Sequence, residues 1–143
     1  MSMYQQLVTT QNQAICHLLF HCCMKDGQFE DAELNQVSEK LVVIGLNKEL
    51  DFKKEVINYQ QYRPMVNDEM SYIQHLMDLI KPVNDLALFS YCIELMISDG
   101  LLELTEESLS TNIAQALNID ETAKQTIIKL VLQRKVIETD KIV

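Results

Sequence analysis

At 143 residues the chain is long enough for one domain with a sizeable buried core. Three Gly and two Pro among 48% hydrophobic and 23% charged residues favour long helices over a turn-rich sandwich. A net charge of −9 argues against binding nucleic acid or an anionic lipid surface, and favours cations or basic protein patches.

Apolar runs such as Leu41-Val42-Val43-Ile44 fall far short of the roughly 20 residues of a membrane span, so no direct membrane insertion is expected. The start of the chain has no basic region ahead of an apolar stretch, which leaves the cytoplasm as the expected location.

The first predicted helix runs from Tyr4 to Lys25, on the recurrence of Leu7, Ala14, Ile15, Leu18, Leu19, Cys22 and Cys23, and stops at Asp26-Gly27. Its cysteines form no CxxC pair and, with Cys92, read as buried free thiols. His17 and His21 stand at i,i+4, a spacing that can bind Zn²⁺ or Ni²⁺. On a wheel of about 100° per residue they fall opposite Ile15 and Leu19, so they read as a solvated or groove-lining pair.

Asp31 is the expected N-cap of a second helix with stripe Leu34, Val37, Leu41 and Ile44. Gly45-Leu46-Asn47 supplies a left-handed residue, an apolar contact and the next cap. A third helix through Val56 and Tyr59 ends before Pro64. Asn67 caps a fourth, which stops at Lys81-Pro82, and Asn84 caps a fifth, ending at Asp99-Gly100. Thr105 caps a sixth, and after Asn118-Ile119-Asp120 a seventh runs to about Lys135.

The chain repeats itself at an offset of 73 residues. Asp26-Gly27, Phe29 and Glu33 match Asp99-Gly100, Leu102 and Glu106, and Gly45-Leu46-Asn47 matches Asn118-Ile119-Asp120 in kind. The expected fold is therefore all-α, with about seven helices as two pseudo-symmetric three-helix units, residues 12–63 and 85–136, joined by a central helix 68–80 in one domain. No segment keeps the period-two alternation of a strand.

Asp26 ends an apolar stripe, as does Asp99, and a carboxylate there must be hydrogen-bonded, paired or protonated. Two readings are open. Each Asp can accept backbone N–H groups of the following helix, with Glu33 and Glu106 as first-turn acids. Alternatively, pseudo-symmetry can bring Asp26, Glu33, Asp99 and Glu106 together to hold Ca²⁺, Mg²⁺ or Mn²⁺. Neither copy is an EF-hand: with Gly27 at loop position 6, positions 1 and 3 would be Cys22 and Met24, which supply no carboxylate.

Acids are also unevenly placed. Residues 64–143 carry 6 Lys/Arg against 13 Asp/Glu, and no basic residue lies between Lys81 and Lys124. Glu30, Asp31, Glu103 and Glu107 beside the repeated turns are the candidate contacts for a basic partner.

Two helical units, each with an amphipathic helix ending in Asp-Gly, then an apolar residue, then Glu opening the next helix, resemble the TerB-like (tellurite-resistance) domains over about residues 12–136. The resemblance implies a seven-helix pseudo-twofold domain with acids clustered at the repeated turns, Asp26, Glu33, Asp99 and Glu106 in this sequence. It also implies a part in bacterial stress responses, with metal binding or recruitment of partners, including membrane-associated ones. No GxGxxG, P-loop or HExxH motif is present, and nothing marks a catalytic neighbourhood around the cysteines or histidines. The expectation is a non-enzymatic interaction module with an acidic surface, the alternative a divalent-metal protein.

Overall fold

The computed structural model describes residues 2–23, 29–97 and 102–140. Among them are eight α-helices and no strand: α1 Met3–Leu7, α2 Gln11–Cys23, α3 Asp31–Val43, α4 Phe52–Tyr62, α5 Glu69–Ile80, α6 Asp85–Met96, α7 Leu104–Ala116 and α8 Glu121–Asp140. A short 3₁₀ turn, Arg63–Met65, extends α4 through Pro64.

The eighth helix arises because the expected first helix is broken in two. Thr10 Oγ1 accepts the N–H of Gln13 at 3.1 Å, while Gln13 Oε1 accepts the N–H groups of Thr9 and Thr10 at 3.0 and 3.3 Å. That reciprocal capping box starts α2 afresh and detaches α1. At the other end, α8 continues past Lys135 to Asp140.

The chain forms two compact units, Met1–Lys81 and Pro82–Val143. In the first, α2 runs through the middle with α3, α4 and α5 packed on it, and α1 lies on α4. The expected joining helix is thus α5, a wall of the first unit packed on α2. Because α2 is enclosed on several sides, Ala14, Cys16, Leu18, Leu19, Phe20 and Cys22 are all buried. Burial of a large apolar side chain such as Leu18 or Phe20 stabilises by about 1.5–3 kcal/mol. Cys16, Cys22 and Cys92 are buried free thiols and Cys23 is half-buried. In the second unit α6 packs against both α7 and α8 around Phe89, Ile93, Leu109, Ile113, Ile128 and Val131.

Several local features recur at the offset of 73. The bounds of α3 and α7 correspond, as do the ends of α2 and α6. After α3, Leu46 N–H bonds Leu41 O at 2.8 Å and Gly45 N–H bonds Val42 O at 3.1 Å; after α7, Ile119 N–H bonds Ala114 O at 2.9 Å and Asn118 N–H bonds Gln115 O at 3.1 Å. Both are Schellman closures with a left-handed residue, Gly45 at φ +79° and Asn118 at φ +58°. The correspondence then ends. Asp120 caps α8 at once, accepting Ala123 N–H at 2.8 Å, whereas α4 begins only after Asp51, which accepts Lys54 N–H at 3.2 Å.

Four caps differ from expectation. Glu30 and not Asp31 caps α3, Glu103 and not Thr105 caps α7, Asp51 and not Asn47 caps α4, and Asp68 and not Asn67 caps α5. α5 stops at Lys81-Pro82 as expected, with Lys81 in the left-handed region and not the extended one usual before a proline.

Replacing Gly45 by Ala should cost about 1 kcal/mol, since the added methyl meets open space and only the left-handed backbone is penalised. Asn118→Gly should cost nothing measurable. Urea denaturation of the two variants checks both values.

Candidate functional site

Two places carry the polar chemistry of the fold: the acidic helix starts and the core of the first unit. At the helix starts Glu33 Oε1 accepts Glu30 N–H at 3.2 Å, and Glu106 Oε1 accepts Glu103 N–H at 3.0 Å. Each N3 carboxylate thus satisfies its own N-cap backbone and faces the positive end of the helix dipole. Glu30, Asp31, Glu103 and Glu107 are exposed. Asp26 and Asp99, the other half of the expected metal set, lie outside the described residues. Among the described residues no group of three or more His, Cys, Asp or Glu is arranged to hold a metal ion.

The polar core of the first unit is absent from the sequence reading. His17 and His21, expected on the solvent side of their helix, are both fully buried. The reason is packing: α5 and α4 cover the side of α2 that a one-faced wheel leaves to water.

His17 stacks on the Tyr62 ring and bonds at both nitrogens, Nδ1 to the Tyr62 hydroxyl at 2.6 Å and Nε2 to Glu55 Oε1 at 2.7 Å. The Tyr62 hydroxyl meets that of Tyr72 at 2.5 Å, and Gln13 Nε2 donates to Glu55 Oε2 at 3.3 Å. One helical turn on, His21 Nδ1 meets the Tyr59 hydroxyl at 2.9 Å and Nε2 meets Glu69 Oε2 at 3.1 Å.

Glu55 keeps only 4% of its surface in water. Burial pushes its carboxyl up, but hydrogen bonds from His17 and Gln13 and the charges of His17 and Lys54 outweigh burial and hold it below the usual glutamate range. An ionised carboxylate only accepts, so His17 Nε2 carries the hydrogen between them. Burial raises the phenols of Tyr59, Tyr62 and Tyr72, which stay protonated and able to donate. The hydrogen-bonded line thus joins Tyr72, Tyr62, His17 and Glu55, with Nε2 donating at its last step. A second, shorter line runs from Tyr59 through His21 to Glu69, whose side chain is 29% exposed.

Tyr4 of α1 closes the cluster from one side, its ring edge-on to Tyr72 at 5.0 Å and to His75 at 5.3 Å. The cluster ties α2, α4 and α5 together by directional bonds, which fixes the rotation of α2 more tightly than apolar contact alone. Its signal in the sequence is the tyrosine content of the neighbouring helices, Tyr59, Tyr62 and Tyr72 each spaced to face a helix that has few polar residues besides two histidines.

The family model for the tellurite resistance protein TerB matches residues 12–128. The chain belongs to the TerB family. The match takes in most of both compact units of this TerB-family chain and both acidic helix starts. No curated protein and no solved structure matches it. No helix among the described residues is long and apolar enough to cross a membrane.

Tyr62→Phe should cost more than Tyr72→Phe, by about 1–3 kcal/mol, because it leaves both the Tyr72 hydroxyl and His17 Nδ1 unpaired in the core; chemical denaturation checks the order. The Glu55 carboxyl, lowered in the fold, contributes stability that is complete above its ordinary value of 4.5 and is lost as pH falls through the lowered one. Glu55→Gln should remove that part of the acid-side loss, read as melting temperature between pH 6 and pH 3.

Proposed function

We propose that this TerB-family chain is a non-enzymatic, cytoplasmic interaction module, linked to stress responses, that presents an acidic surface to a basic protein partner. One observation carries the reading. From Pro82 to Ile128 the only Lys or Arg is Lys124, and it is buried, its Nζ turned to Thr111 Oγ1 at 3.1 Å and to Glu121 at 3.4 Å. The described charges of that stretch that reach solvent are therefore all acidic, with Glu103, Glu107, Asp120 and Glu121 exposed.

The recurrence of helix bounds, N3 carboxylates and Schellman turns at offset 73 supports descent from a duplicated three-helix unit, residues 12–63 and 85–136, within one TerB-like domain. On that reading Glu30 and Asp31 of the first copy and Glu103 and Glu107 of the second are equivalent contact points.

The test is capture of a synthetic Lys/Arg-rich peptide by the full chain. Binding should weaken about tenfold or more between 50 and 300 mM salt, and Glu103→Lys with Glu107→Lys should reduce it by a similar factor. Capture that survives both would remove the acidic surface as its cause.

A further inference from the structure

We propose that the groove between α3 and α4 docks one amphipathic helix of a protein partner, with basic side chains along one flank of its apolar stripe and acidic side chains along the other; this rests on the interaction-module reading and names the kind of partner. The groove encloses about 630 Å³, and its apolar lining is Leu34 from α3 and Phe52, Val56 and Ile57 from α4. Ile57 is 61% exposed, so a large aliphatic side chain stands in water at the mouth of a concave surface.

The spacing of the lining matches a helix. On α3 the lining positions are 31, 34, 35 and 38, a strip about 10 Å long, and on α4 they are 52, 53, 56 and 57, a strip of about 7.5 Å, both at helical period. Val42, 55% exposed, lies one turn beyond Ser38 and lengthens the α3 strip. Helical walls with apolar residues at that spacing are surfaces on which an amphipathic helix can lay an apolar stripe of its own.

Charge identifies the flanks. Asp31 stands on the α3 wall and Lys53 on the α4 wall, both exposed, and neither has an ion-pair partner among the described residues. Asn35 and Ser38, also in the lining, have no side-chain hydrogen bond among the described residues. A helix with flanks of one sign would repel one wall. A helix with a Lys or Arg on one flank and an Asp or Glu on the other pairs with both, and only one chain direction sets each flank against its complementary wall.

The experiment uses three synthetic helical peptides with the same apolar stripe and with mixed, all-acidic or all-basic flanks, titrated by fluorescence anisotropy against the full chain at 150 mM salt. The mixed-flank peptide should bind about tenfold more tightly than the all-acidic one, and Ile57→Glu, at a site exposed enough to spare the fold, should weaken it about tenfold. Asp31→Lys, which makes both walls basic, should move the preference to the all-acidic peptide.

Mixed-flank binding that ignores Ile57→Glu, or a preference unmoved by Asp31→Lys, would overturn the proposal. So would a dimer in sedimentation velocity that Ile57→Glu dissociates, which would give the groove to a second copy. If the all-basic peptide alone binds, sensitive to salt but not to Ile57→Glu, the groove proposal falls while the acidic-surface reading stands. Mixed-flank binding that behaves as expected while charge reversal at Glu103 and Glu107 changes nothing in the basic-peptide assay would do the reverse.

Discussion

The first unit is arranged around one ionised carboxylate with almost no access to water. Removing a charge from water costs several kcal/mol unless its oxygens are hydrogen-bonded. Glu55 meets that cost with His17 on one oxygen and Gln13 on the other, both from α2. The consequence spreads. To give Nε2 to Glu55, His17 needs its ring held, and the stacked Tyr62 ring holds it; to satisfy Nδ1, Tyr62 needs its hydroxyl aimed inward, where Tyr72 meets it. The carboxylate thereby determines which residues of α2, α4 and α5 face one another.

Much of the backbone was legible because its signals are local. The Gly45 and Asn118 turns, the stop at Lys81-Pro82 and the acids in the first turns of α3 and α7 follow from groups within five residues of each other. The caps were placed one to four residues from where they occur. A helix can begin on any residue whose carbonyl starts the ladder, and here reciprocal bonding between Glu30 and Glu33, and between Glu103 and Glu106, favours an earlier start than the side-chain preference of Asp31 or Thr105.

The buried cluster was not legible, for a different reason. A wheel assumes that a helix has one wet side, and the apolar stripe then sends His17 and His21 outward. That assumption fails for α2, which three helices enclose. The clue lay in partners distant in sequence: His17 finds Glu55 38 residues away and Tyr62 45 residues away, separations at which no periodicity along one helix carries information.

The offset that preserves the turns does not preserve this cluster. Residues 73 further on from His17, Glu55, Tyr59 and Tyr62 are Ser90, Ile128, Leu132 and Lys135, and Ile128 is buried where a carboxylate would need partners. At the position matching His21 stands Glu94, which reaches Arg134 at 3.0 Å near the surface. An apolar core tolerates rotation and sliding of its helices that a chain of directional hydrogen bonds does not. The two units therefore share their corners and differ in what holds them. The first is pinned by a polar lattice that specifies one arrangement, and the second depends on the volume and shape of Phe89, Ile93, Ile113 and Ile128. In the second unit the buried polar groups, Ser110 bonded to Glu107 O and Lys124 bonded to Thr111 and Glu121, lie beside that apolar core and do not form a line across it.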